Sequence, residues 1–146
     1  MGKTICFVNN KGGCGKTTTV CAVGQAWAEL GKKILFVDLD SQSNLTCIIT
    51  DTDPSTKEWE QTLEDAFVGG PDYGLPIEHV SENIDIIPSD LDLSNFERET
   101  ARYTGREFLL ADLLETVKEN YDYILIDCPP ALSLITYNAL VASDYM

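Results

Sequence analysis

Eight consecutive residues, Lys11-Gly12-Gly13-Cys14-Gly15-Lys16-Thr17-Thr18, bring three glycines, two lysines and two hydroxyls into one short segment. Glycines let successive backbone N–H groups curl around phosphate oxygens with no Cβ in the way. A lysine directly after them offers a point charge to the β- and γ-phosphates, and the hydroxyl after that can reach Mg²⁺. Lys16 and Thr17 stand at those two positions. Lys11, Gly12, Gly13, Cys14, Gly15, Lys16, Thr17 and Thr18 are therefore the candidate nucleotide-binding residues. Three carboxylates belong to the same chemistry: Asp38 and Asp40 within Phe36–Gln42, and Asp127 within Ile124–Pro130. A carboxylate at the C-terminal end of a buried strand beside a phosphate loop can hold Mg²⁺, directly or through water, or orient a nucleophilic water. Asp127 suits the first role and Asp40 the second. Asp38 is open between the metal's surroundings, anchorage of a lysine and capping of the next helix.

These groups need a scaffold that delivers them to one place. Thr4–Asn9 is short and mostly apolar, and the glycine-rich segment ends it. Thr17–Leu30 carries Val20, Val23, Trp27 and Leu30 at helical spacing, with Gly31 placed to stop the helix. Ile34–Val37 is a second apolar run, closed by Asp38-Leu39-Asp40. Strand, loop, helix and strand in this order make a βαβ unit, hence parallel strands and a right-handed crossover. Asp51–Gly74 loosens into turn-formers and acids around a short helical piece, Leu63–Val68, and reads as a surface excursion. Ile84–Pro88 is a third strand. Leu110, Leu113, Leu114 and Val117 mark a helix, Tyr123–Asp127 a fourth strand stopped by Pro129-Pro130, and Leu132–Ala142 a last helix. The phosphate loop is expected at the C-terminal edge of a central strand, with Thr4–Asn9 beside Tyr123–Asp127.

The composition restricts the alternatives. A length of 146 residues makes one domain, and 44% hydrophobic with 23% charged residues is ordinary for a globular chain. The formal net charge is −14. Five lysines lie within the first 50 residues, and the remainder is strongly acidic. That balance opposes an intrinsic nucleic-acid surface, which works by phosphate neutralisation. No apolar run approaches the length of a membrane span, and Met1 leads almost directly into a strand with no signal-peptide layout; a cytoplasmic location is expected. The five cysteines have no paired spacing and read as reduced, small hydrophobes, with Cys14 set apart by its place among backbone N–H groups.

Asn10 stands where the common pattern G-x-x-x-x-G-K-[ST] has its first glycine, and Lys11 follows it. In this form the loop resembles the deviant Walker A group, with signature K-G-G-x-G-K-[ST], and within it the ParA/Soj-type partition ATPases; the group also holds MinD-type proteins and the nitrogenase iron protein. Phe36–Gln42 resembles the family's D-x-D-P-Q segment with Ser41 in place of the proline, and Ile124–Pro130 resembles its Walker B segment, D-x-P-P. The resemblance covers nearly the whole chain. It implies an α/β, P-loop NTPase-like three-layer fold with a mostly parallel sheet, truncated at the C-terminus, since Leu140–Met146 resembles the lead-in to a further core strand. A chain stopping there is expected to leave Tyr123–Asp127 or its neighbour with an unpaired edge. The resemblance further implies ATP and Mg²⁺ as cofactors, with Lys11, Lys16 and Asp40 catalytic and Thr17, Asp127 and Asp38 around the metal. Lys11 would reach across an ATP-bound homodimer to the partner's phosphates.

The implied function is an ATP-dependent dimerisation switch with slow hydrolysis in plasmid or chromosome partitioning. It would be activated by a ParB-like, centromere-binding partner, with non-specific DNA contacted only through a C-terminal region beyond Met146. A MinD-like regulator of division and an amidotransferase-like biosynthetic ligase are the alternatives. The spelling Asp127-Cys128-Pro129-Pro130 favours partition over MinD, and Lys11 favours both over a ligase. An iron–sulfur reductase is disfavoured, because Cys128 abuts Asp127 and no second cysteine has matching context.

Overall fold

A computed structural model describes residues 2–13, 15–53 and 56–146; Cys14 lies outside them. Five strands form one sheet: β1 (Lys3–Phe7), β2 (Ile34–Asp38), β3 (Glu78–Ser81), β4 (Ile84–Ile87) and β5 (Tyr123–Asp127), in the order β1-β5-β2-β4-β3. β1, β5, β2 and β4 run parallel, and β3 joins antiparallel to β4. Every residue of β2 is buried, as a strand covered on both faces must be, and this is why its sequence is apolar without alternation. Phe7, Asp127 and Asp38 stand side by side across β1, β5 and β2. Three strands therefore end flush, and whatever follows each of them meets at one edge.

Helices cover both faces. On one side α1 (Lys16–Glu29) and α2 (Asn44–Thr50) pack Val20, Cys21, Leu45 and Ile49 onto Phe36, Ile86 and Leu125. On the other, α3 (Leu63–Gly69), α4 (Phe96–Glu99), α5 (Leu109–Glu115) and α6 (Leu134–Ala142) pack Phe67, Phe96, Leu113 and Ile135 onto Leu35, Val37, Ile124 and Ile126. The residues of β2 and β5 thus divide between two cores by simple alternation, and the result is a three-layer α/β sandwich. In mid-α1 a Cβ on Gly24 would overlap the Phe36 ring and stand 3.0 Å from Leu125 Cδ1, so glycine is what lets this helix lie close on the sheet. α3 begins with a reciprocal cap: the Asp65 N–H donates to Thr62 Oγ1 at 3.2 Å, and the Thr62 N–H donates to Asp65 Oδ2 at 3.0 Å.

The structure differs from the sequence expectations in three places. β1 is an outer strand, at the opposite edge from β3, while β5, β2 and β4 lie inside the sheet. Tyr123–Asp127 is paired on both sides, and the edge expected there or at its neighbour falls on that neighbour, β1, beyond which among the described residues lies only Asp144-Tyr145: Tyr145 bridges Ile5 in parallel, and the Cys6 N–H donates to its carbonyl at 3.0 Å. α2 was not foreseen. It starts from Ser43 at φ 59°, a left-handed residue that is not glycine, and its first turn is held by an acid from another element. β3 was also missed, because an antiparallel edge strand this exposed needs no apolar alternation.

Candidate functional site

β1 hands the chain to the glycine segment, which turns into α1 at Gly15. Gly13 and Gly15 have φ values of 72° and 79°, conformations costly for any residue with a Cβ. Above Gly12, Gly13 and Gly15 the space is open, since a Cβ on any of them would meet nothing within 4 Å. Among the described residues no side chain caps α1, and its first turn holds no acid. The first N–H groups of a fourteen-residue helix therefore face this opening unpaired, which is the arrangement that attracts a phosphate.

Asp127 ends β5. It accepts Lys16 Nζ at 2.5 Å and Thr17 Oγ1 at 2.7 Å. The ion pair is largely out of solvent, with Lys16 11% and Asp127 1% exposed. Asp40 stands on the turn after β2, where its Oδ1 accepts the Gln42 N–H at 3.0 Å. Lys11, Gly13, Lys16, Thr17, Asp40 and Asn44 are among the residues lining a cavity of about 580 Å³. Gly12, Gly15 and Thr18 line it too. Lys11 is exposed, and among the described residues it has no ion-pair partner.

Asp38 behaves differently from the other two acids. Its Oδ1 accepts the Asp40 N–H at 3.1 Å, and its Oδ2 accepts both the N–H and the hydroxyl of Thr46 at 2.9 and 2.7 Å. It caps α2 and pins the turn that carries Asp40; of the three acids only Asp40 is among the residues lining the cavity. Burial pushes its carboxyl up to about 7; the Thr46 and Asp40 donors oppose that shift and the neighbouring Asp127 adds to it. The sequence missed Asn44, Cys47, Ile48 and Pro130, which complete the cavity. Ser43-Asn44 ahead of Leu45, Ile48 and Ile49 at helical spacing was the available signal. Cys6, Cys21 and Cys128 are buried free thiols whose pKa burial raises, in keeping with a packing role.

A larger cavity of about 840 Å³ opens at the opposite sheet edge, around Lys33, His79, Asp85 and Tyr121. It has no glycine cradle and no free helix N-terminus, so the phosphate chemistry belongs to the smaller one.

The model of the AAA domain family matches residues 2–146. The chain belongs to that family, in its ParA/Soj type. It is 44% identical over 145 residues to the sporulation initiation inhibitor protein Soj of Bacillus subtilis, a match spanning 99% of this chain and 56% of the relative. To the chromosome partitioning protein ParA of Caulobacter vibrioides it is 37% identical, over 97% of this chain and 53% of the relative. Among solved structures it superimposes on cobyrinic acid a,c-diamide synthase from Mycobacterium smegmatis, with bound ATP analog and magnesium, at TM-score 0.88 and 32% identity. That match covers 98% of this chain and 57% of the other. The chain thus spans about half the length of the curated relatives it matches. As an AAA-family chain of ParA/Soj type it carries a P-loop NTPase fold, and nucleotide with Mg²⁺ occurs in its structural relatives. No helix among the described residues is long and apolar enough to cross a membrane.

Proposed function

We propose that this chain is the nucleotide-binding part of a cytoplasmic, ATP-dependent dimerisation switch that serves plasmid or chromosome partitioning. The observation that carries the proposal is the convergence of Lys16 and Thr17 on Asp127, beneath an uncapped helix start, with Lys11 free at the mouth of the same cavity. Thr17 Oγ1 and the Asp127 carboxylate are hard oxygen donors 2.7 Å apart, a set that fits Mg²⁺. Asp38 does not fit as a direct ligand, because its two oxygens are held by the backbone N–H groups of Asp40 and Thr46, whereas Asp127 is held by two side chains, Lys16 and Thr17. When bound, Mg²⁺ supplies charge neutralisation at the β- and γ-phosphates.

Lys16 exchanges Asp127 for phosphate oxygens as the nucleotide enters. The glycine N–H groups and the start of α1 hold the phosphate tail in place. Asp40, at the cavity wall, orients the water that attacks the γ-phosphorus, and ADP leaves with the bridging oxygen. Lys11, exposed and unpaired, reaches the phosphates held by a second copy, so ATP joins two chains and hydrolysis parts them. A centromere-binding activator of the ParB kind accelerates this slow step. Light scattering with and without ATP and Mg²⁺ tests the proposal: a dimer that forms only with both supports it, and a monomer that binds no nucleotide overturns it.

The likeness to an amide-forming synthase at TM-score 0.88 keeps a ligase as a second reading. The higher identity to Soj and the presence of Lys11 favour partition. ADP release that depends on an added carboxylic acid would reverse that preference.

A further inference from the structure

Resting on Asp40 as the residue that orients water, we infer that Thr46 is the positioning residue that holds Asp40 at the cavity wall. Thr46 lies on the buried side of α2 and touches no candidate ligand atom, and no sequence motif marks it. Its hydroxyl and its N–H both donate to Asp38 Oδ2, at 2.7 and 2.9 Å, while its Oγ1 accepts the Ser89 N–H at 3.0 Å. Asp38 Oδ1 in turn accepts the Asp40 N–H at 3.1 Å. One threonine thus joins the end of β2 to the first turn of α2 through the Asp38 carboxylate, and the segment after β4 to both through its own hydroxyl.

The consequence concerns the turn Leu39–Ser43. Asp38, at its start, is aimed by Thr46, and the turn is closed by the Ser43 N–H donating to the Asp40 carbonyl at 2.8 Å. Ser43 itself holds φ 59°, a strained conformation that persists only where surroundings over-determine it. Without the Thr46 hydroxyl, Asp38 Oδ2 loses one of its two donors, the Ser89 N–H is left unpaired in a buried place, and Asp38 is freed to turn. Asp40 then loses its fixed direction, while Lys16, Thr17 and Asp127, on other elements, are untouched.

The test is backbone hydrogen exchange by NMR on the nucleotide-free chain, comparing Thr46→Val with Thr46→Ser. Losing one anchoring hydrogen bond corresponds to about tenfold faster exchange at the Asp40 and Gln42 amides in Thr46→Val. The Ile124–Ile126 amides stay as in wild type, and Thr46→Ser, which keeps the hydroxyl, stays close to wild type throughout. Titration with a non-hydrolysable ATP analogue and Mg²⁺ gives unchanged affinity in both variants, and in turnover Thr46→Val lowers kcat while leaving KM in place. Unchanged Asp40 exchange, or acceleration shared equally by the Ile124–Ile126 amides, overturns the inference. If Thr46→Val does not fold, wild type decides: Asp40 and Gln42 amides that exchange as fast as a free peptide show that the network holds nothing. A wild-type chain that binds no ATP overturns the proposed function, whereas the amide result still decides the role of Thr46.

Discussion

Lys16 Nζ lies 2.5 Å from Asp127 Oδ1, so the lysine that would meet phosphate is already neutralised by the acid that would meet Mg²⁺. Each charge is the other's stand-in for the ligand. Replacing Lys16 leaves the Asp127 carboxylate buried with the Thr17 hydroxyl but no cation, a change that costs about 3 kcal/mol. Lys16→Ala is therefore expected to lose nucleotide binding and also to unfold earlier in denaturant, measured by titration and by urea melts.

Lys11→Ala is expected to do neither. Its side chain is exposed, and a surface substitution of this kind stays within about 0.5 kcal/mol. Nucleotide binding is retained, while ATP-dependent dimerisation and hydrolysis are lost. An equal loss of ATP affinity in Lys11→Ala and Lys16→Ala, read by calorimetry, removes Lys11 from the partner's phosphates.

Asp40→Ala separates binding from chemistry. The phosphate contacts belong to the glycine segment, Lys16 and Thr17, so the ATP-bound dimer forms and then persists. Turnover falls by about a hundredfold or more, the ordinary scale for losing a group that acts on the reacting water. Light scattering followed over time reads the persistence, and near-wild-type turnover removes Asp40 from the mechanism.

Gly24→Ala tests the packing beneath the site. The added methyl overlaps the Phe36 ring, and α1 must lift from the sheet or the ring must move. Overpacking of this kind costs about 2 kcal/mol. Phe36→Leu in the same chain is expected to recover part of the loss in a thermal melt.

Asp38 makes stability depend on pH. In the folded chain its carboxyl holds a proton up to about 7, against 3.8 when unperturbed. The folded state binds the extra proton between those values, so stability present at low pH is lost as pH rises toward 7. Burial and neighbouring acids also raise Glu64 and Asp90, which act in the same direction. The measure is therefore the difference between wild type and Asp38→Asn: the variant's denaturation midpoint falls less over this interval.

What the sequence disclosed, and what it withheld, follows from the range of the interactions. Tyr123–Asp127 could be read to the residue, because a strand buried on both faces must be apolar throughout and Pro129-Pro130 ends it. α1 and the place of Lys16 and Thr17 were equally legible, since glycine and periodicity act locally. α2 was hidden because its first-turn partner is Asp38, eight residues back on a strand. The outer position of β1 could not be read either, because strand order depends on which segments return, and nothing within Lys3–Phe7 records that. The sequence leaves Asp38 open between three roles, and the distances to Thr46 show that it caps a helix.

The position of β5 has a consequence for how the chain folds. It is the last of the five strands in the sequence and lies between the first two, pairing with β1 across residues 3–127 and with β2 across 34–127. During synthesis β2 can pair with β4 as soon as Ile84–Ile87 has emerged, yet β1 has no partner strand and β2 keeps one edge open until Tyr123–Asp127 has been made. The early segments must wait with apolar edges open, a slow, non-local closure of the kind that exposes a nascent chain to aggregation.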